Sequence, residues 1–543
     1  MASTVPGLPP TDQAAPRIRP RRLPEPSLGE LLRRGGRIAA SVARHFSPLV
    51  LRQLHEVRSG PLPPSVIARP LRLTFEELGG TFIKFGQIMA SSPGMFGEEV
   101  ADEFRSTLDT GPTADFRHVR QVIEDDLGMS LGEAFADFDP EPVGRASIAV
   151  VYRARLHDGR QAAVKVMRPG IERLVATDLD LMQPFFELLA RETGEVMAGS
   201  TLQLLDGFRV QIGEEMDLRN EARSLAHFRR LWSEKWLPLV VVPEPYPELS
   251  GPNVLTMEFL DGVPIDDFAQ VAALGIDPRP LIEQVVRVFF LTTIRWGVFH
   301  GDIHAGNMML LRDGRIGVID WGIVGRLDPD THRFFLRLLA AALGDESGWG
   351  DASAHITRTY GPAIKEAVGL DDAGLAAFIR SLVLPALTRP FGEVSLASVF
   401  QATQLQVAKA QGIEAHRRSV RAVLHRLRAQ RRLRRMAYEA GGLMSDFDRG
   451  TFLLGKQLMY FERYGRMFLH DVPLLNDRAF LSELLEQATV GEVRAEPVAP
   501  ASGPHVLGEG PLASLGPVGP VEEAPEELED GRYAERRPAR GAE

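Results

Sequence analysis

The chain has 543 residues, enough for two or three domains or one elaborated core. Its 44% hydrophobic and 25% charged content is ordinary for a globular protein, and with no cysteine, disulfides, thiolate metal sites and cysteine nucleophiles are excluded. A formal net charge of −10 argues against a general nucleic-acid binder, so contact with any anionic surface must come from a local patch.

Residues 1–27 are rich in Pro and Arg and lack the apolar core of a secretion signal, so they read as a disordered arm. The next stretch, LGELLRRGGRIAASVARHFSPLVLRQL, places leucine and arginine on separate faces at helical spacing. It reads as a helix packed on the main domain, with a membrane-surface helix as the alternative. In LRLTFEELGGTFIKFGQIMASSPGMF, residues 71–96, Phe82, Phe85 and Met89 form an apolar stripe, and Lys84 and Gln87 share another face one turn apart. Spacing alone leaves Lys84 a solvated residue. The region 28–135 is therefore expected to be a helical extension.

Residues 142–170, PVGRASIAVVYRARLHDGRQAAVKVMRPG, read as strand–turn–strand with the turn at Asp158-Gly159 and Lys165 on the second strand. A helical insert follows over about 171–210. After it, Glu215, Asp217 and Glu221 are expected on one helix, residues 217 and 221 sharing a face, as solvated acidic surface. A strand ending at Met257-Glu258-Phe259 precedes Asp261-Gly262. The run VVRVFFLTTIRWGVF is broken by Arg287 and Arg295 and reads as a buried helix, no uninterrupted apolar run being long enough to span a bilayer.

The centre of the chain is HGDIHAGNMMLLRDGRIGVIDWG, from His300 to Gly322. Two short strands joined at Asp313-Gly314 would bring Asn307 and Asp320 to the same end of a hairpin. Downstream, residues 331–487 read as successive amphipathic helices, with Asp328 or Asp330 as the N-cap of the first. Within them Arg417 to Arg435 carries nine arginines. That segment suits a solvated helix paired with carboxylates, or one laid on anionic headgroups or phosphates. Residues 488–543 turn to Pro, Gly, Ala and Glu and read as a disordered acidic tail.

Asp302, Asn307 and Asp320 resemble the H-x-D-x4-N and D-F-G loops of protein-kinase-like phosphotransferases. The chemistry needs a carboxylate near the attacking oxygen and hard oxygen ligands for magnesium across the nucleotide phosphates. Gly144, Ala146, Ala149 and Val151 fall in register with the kinase glycine-rich loop, with alanine at two glycine positions. Six ordered elements together resemble the UbiB/AarF/ADCK family of atypical kinase-like proteins: Lys84-Phe85-Gly86-Gln87, the alanine-rich loop, AAVK at Lys165, Glu215-x-Asp217, the Asp302/Asn307 loop and Asp320-Trp321-Gly322. The loop departs from the family pattern at Gly144, Arg145, Val150 and Tyr152, which leaves nucleotide preference open.

The resemblance implies an α+β, two-lobed protein-kinase-like fold with an N-terminal helical extension and extra C-terminal helices. It implies an N-lobe over 136–260 and a mainly helical C-lobe over 261–487. Lys165, held by Glu221, would contact nucleotide phosphates, with Asp302 as the catalytic carboxylate and Asn307 and Asp320 holding Mg²⁺. Gly144, Ala146, Ser147, Ala149, Val151 and the Glu258 hinge would line the ATP or ADP site, and Lys84 and Gln87 would lie over it near Glu215 and Asp217. With no A-P-E segment after Gly322, the implied acceptor is water, a lipid or a quinone precursor rather than a peptide. Composition and the absence of an apolar span give a cytoplasmic setting as the expectation, with Arg417–Arg435 as the candidate for peripheral membrane contact and no nucleic acid. The alternatives are an aminoglycoside- or choline-kinase-like enzyme, to which Lys84–Gln87 and Glu215/Asp217 are foreign, and a nucleotide-gated binding module without useful catalysis.

Overall fold

The structure is a computed structural model. It describes residues 18–56, 64–90, 98–104, 114–193, 195–231, 239–360, 363–393 and 449–492, with short pieces between 402 and 410. The Arg417–Arg435 segment and residues 493–543 lie outside the described residues.

Among the described residues the chain opens with helices α1 (Leu28–Glu56), α2 (Pro64–Leu78), α3 (Gly80–Ala90) and α4 (Glu98–Phe104). The predicted stripe does organise α3, where Phe82, Phe85 and Met89 are all buried. Phe85 meets Phe186 and Phe208 edge-on at 5.5 and 5.2 Å, and these belong to α6 (Ile171–Thr193) and α7 (Glu195–Glu215). Gly86 is required by close approach, since a Cβ there would lie 2.8 Å from the buried Phe104 ring. Helix α5 (Phe116–Leu127) precedes the first sheet and packs on it through Val119 and Ile123.

That sheet has the order β1 (Asp137–Arg145), β2 (Ala149–Arg155), β3 (Gln161–Met167), β5 (Val254–Glu258), all antiparallel. The Asp158-Gly159 turn is where the sequence puts it, Gly159 adopting φ 90°. Lys165 pairs with Val151 on one side and Leu255 on the other, so its backbone is fixed in a central strand.

The predicted single helix through residues 215–221 is in fact two. Helix α7 ends at Glu215 and α8 (Leu218–Leu231) begins after Asp217, whose carboxylate accepts the Arg219 N–H at 3.1 Å. An aspartate just ahead of a helix satisfies an otherwise orphaned N–H, which breaks the helix here.

The expected free arm also does not extend through Ser27. Arg19 exchanges two hydrogen bonds with Asn220, and Arg21 reaches Asn253 at 2.7 Å and Glu172 at 2.8 Å. The arginines that make this segment look disordered are the groups that anchor it.

A second sheet, ordered β4 (Val240–Val241), β9 (Ile316–Val318), β8 (Met308–Leu311), β6 (Gly262–Pro264), carries the central motif. Strands β8 and β9 form the predicted hairpin, with Gly314 at φ 86° and Met308 opposite Val318. A two-stranded sheet joins β7 (Val298–His300) to β10 (Val324–Arg326). Behind them runs α9 (Arg279–Trp296), the buried helix expected from VVRVFFLTTIRWGVF. Helices α10 (Pro329–Leu343), α11 (Ser347–Tyr360), α12 (Ala363–Val368) and α13 (Asp372–Thr388) follow, then α14 (Arg449–Phe468) and α15 (Arg478–Glu492). Asp328 caps α10, accepting from the Asp330 and Thr331 N–H groups. Among the described residues no helix is long and apolar enough to cross a membrane.

Candidate active site

Lys165 Nζ lies 2.8 and 3.0 Å from the two carboxylate oxygens of Glu221 and 3.1 Å from Asp320 Oδ2. Three segments far apart in sequence thus meet on one ammonium: strand β3, helix α8 and the end of β9. Burial opposes charge on Lys165, but Asp320 and Glu221 outweigh it and hold the amine well above the usual lysine range. Burial pushes Glu221 up to about 7 against the pull of Lys165. Burial also works against the Asp320 carboxylate, yet Lys165 and Lys84 hold it well below the usual range.

The placement of α8 relative to Asp320 comes from Trp321. This ring is fully buried, 4.5 Å centroid to centroid from both Phe228 on α8 and His300. Its Nε1–H donates to Val318 O at 2.8 Å and its backbone N–H points to Glu221 Oε1 at 3.3 Å. The tryptophan of Asp-Trp-Gly therefore ties the lysine-binding helix to the acidic loop.

His300 fixes the other side. Its Nε2–H donates to the Asp320 carbonyl at 2.5 Å while its Nδ1 accepts the Asp302 N–H at 3.0 Å, which requires the neutral ring. Burial holds its pKa down to about 4, in keeping with that tautomer. Asn307 Nδ2 donates to Asp302 O at 3.0 Å. The Ile319 N–H donates to Asn307 O at 3.0 Å and closes the base of the hairpin. Asn307 and Asp320 thus stand at one end of it, as the turn at Asp313-Gly314 requires.

The loop between β1 and β2 is a tight turn in which Ala146 N–H donates to Ala149 O at 3.0 Å, and Arg168 latches it by donating to Ala146 O at 2.9 Å. Ala146, Ser147 and Ala149 line the cleft beside Lys165. Gly144 and Val151 face each other across the β1–β2 ladder and lie outside that lining. Lys84 reaches into the cleft and pairs with Glu215 at 2.9 Å. Gln87, one turn on, does not line it. Asp217 does, with its carboxylate held by Arg219 at 2.7 Å.

At the end of β5 the Glu258 backbone N–H donates to Glu244 O at 2.7 Å and its carboxylate accepts from Arg229 at 3.4 Å.

Two residues that do not stand out in the sequence touch the Asp302 loop. Lys456 Nζ on α14 is 2.7 Å from Asp302 Oδ1, and Gln457 Oε1 accepts the Ile303 N–H at 2.9 Å. A lysine inside an amphipathic run reads as solvated, and no local pattern marks a contact to a loop so distant in sequence.

The donor set suits Mg²⁺ shared with phosphates. Among the described residues no three His, Cys, Asp or Glu side chains cluster to cage a metal, and Mg²⁺ is commonly held by one or two protein oxygens plus phosphate and water. Asn307 and Asp320 supply such a pair of hard oxygens.

Comparison with known proteins gives the family. The model of the ABC1 atypical kinase-like domain matches residues 106–348. An uncharacterized protein of Mycobacterium tuberculosis is 39% identical over 288 residues, 53% of this chain and 58% of the relative. An uncharacterized chloroplastic aarF domain-containing protein kinase of Arabidopsis thaliana is 32% identical over 420 residues, 75% of this chain and 73% of the relative. The probable protein kinase UbiB of Marinobacter nauticus is 32% identical over 339 residues, 60% of this chain and 59% of that protein. The chain therefore spans little more than half the length of the Mycobacterium relative and of that UbiB protein. The family that the ordered motifs resemble is the one these matches show: the chain belongs to the ABC1, or UbiB/AarF, family of atypical kinase-like proteins.

Proposed function

We propose that this chain binds an adenine nucleotide with Mg²⁺ and hydrolyses ATP or transfers its γ-phosphoryl group. The observation that carries this reading is the single ammonium of Lys165 held between Glu221 and Asp320, with Asn307 and Asp302 on the adjoining loop. In this reading Lys165 turns from Asp320 to the nucleotide phosphates and stays oriented by Glu221. Asn307 and Asp320 hold Mg²⁺, which when bound neutralises charge on the phosphates. Asp302 orients the acceptor O–H and accepts its proton as the new P–O bond forms and the bond to the departing diphosphate breaks.

The acceptor assigned is water or a lipid or quinone-precursor hydroxyl. What supports this is the short path from Gly322 to Pro329, the start of α10, which leaves no room for a long peptide-binding platform. A small-molecule phosphotransferase of the aminoglycoside or choline type has no need of Lys84 reaching in from α3, so we do not favour it.

One observation favours a second reading, a nucleotide-gated module. The cleft holds only about 30 Å³ of free space, because Lys84, Lys165 and their carboxylates fill it. Entry of a nucleotide must therefore exchange these ion pairs for phosphate and metal contacts. The discriminating experiment is phosphate release by the wild type and Asp302→Asn, with and without anionic liposomes and quinone precursors. An enzyme loses about 10²–10⁴-fold in the variant. A module binds nucleotide equally in both proteins and has no release to lose.

A further inference from the structure

Helix α14 lies along the Asp302 loop in register. Leu453 Cδ1 would stand 3.2 Å from a Cβ placed on Gly301. Lys456 Nζ pairs with Asp302 Oδ1 at 2.7 Å, and Gln457 accepts from Ile303 N–H at 2.9 Å. The Tyr460 ring lies 6.0 Å from that of His304. Positions i, i+3, i+4 and i+7 of one helix face therefore meet four consecutive loop residues, 301 to 304.

This face has a cost that packing alone does not explain. Leu453 and Gln457 are 1% and 0% exposed, and Lys456 is 8% exposed. Burying an ammonium there sacrifices hydration, and a buried ion pair is often no more stable than apolar side chains of the same size. A leucine would fill the position more cheaply. What the ammonium adds is a direction for the Asp302 carboxylate, whose backbone is already held on both sides by His300 and Asn307.

We propose that Lys456 is a positioning residue of the active site, holding the Asp302 carboxylate toward the acceptor while Gln457 fixes the next residue of the loop. This deepens the phosphotransfer reading and rests on it. Helix α14, outside the matched kinase-like segment 106–348, thereby completes the site. Lys456 acts through Asp302, so its effect disappears when Asp302 is already disabled.

The test is a double-mutant cycle on phosphate release with Lys456→Met, Asp302→Asn and the pair, alongside Lys456→Arg, with Mg²⁺–nucleotide affinity measured separately. Lys456→Met is expected to slow release about 10–100-fold, as small misplacements of a reacting group do. It should leave nucleotide affinity within about twofold, and Lys456→Arg should recover most of the rate. Added to Asp302→Asn it should cost nothing further. Losses that multiply in the pair, or an unimpaired Lys456→Met enzyme, overturn the proposal. If Asp302→Asn itself keeps full release, the phosphotransfer reading falls instead. Amide exchange then decides the loop claim on its own: Lys456→Met must speed exchange over Asp302–Asn307 while Lys456→Arg does not, and equal exchange overturns it.

Discussion

Lys165 Nζ sits 3.1 Å from Asp320 Oδ2, across 155 residues of sequence. In the proposed reaction the two separate, one going to phosphate and the other to metal. Lys165→Met is expected to weaken Mg²⁺–nucleotide binding at least about tenfold, since a charge-assisted contact to phosphate is lost. Fluorescence anisotropy with a labelled nucleotide checks this, and wild-type affinity in the variant would remove Lys165 from the binding role.

Acid should loosen the fold through His300. Its pKa is held at about 4 by burial, below the ordinary value of 6.5, so the unfolded chain takes up this proton first as pH falls. The stability it contributes is complete above about pH 6.5 and is lost progressively toward pH 4, about 3 kcal/mol in all. His227 is held at about 4 by burial as well and acts in the same direction. Denaturant melts from about pH 7 to about pH 4.5 should show a shallower pH slope in His300→Gln than in the wild type. An unchanged slope would mean that His300 does not titrate as described.

Gly325 packs closely against β7, the strand that leads into the Asp302 loop. It pairs with Phe299 across β10 and β7, and a Cβ there would run into the fully buried Phe299 ring. Gly325→Ala should cost about 1–3 kcal/mol through overpacking. Urea melts of the variant measure it, and a neutral result would show that β7 yields without strain.

Much of this arrangement is legible in the sequence because its signals are local. Asp313-Gly314 forces the hairpin that brings Asn307 beside Asp320, and the Phe82, Phe85, Met89 stripe places Lys84 on another face of α3. The break between Glu215 and Glu221 is not legible, because helical periodicity runs on through Met216-Asp217 and the side-chain cap that stops it is decided locally by Asp217 and Arg219. Arg21 reads as part of a solvated arm because its partners Asn253 and Glu172 lie far along the chain. Lys456 is the same case in the other direction: tertiary packing alone tells a buried lysine from a solvated one.

The central claim is a metal–nucleotide site built on Asp320 and Asn307. Its most direct test is titration of the wild type and Asp320→Asn with a fluorescent ATP analogue, each in Mg²⁺ and in EDTA. The account predicts binding by the wild type that falls at least about tenfold in EDTA, and an Asp320→Asn protein in which Mg²⁺ no longer makes that difference. Equal affinity in all four titrations would contradict it.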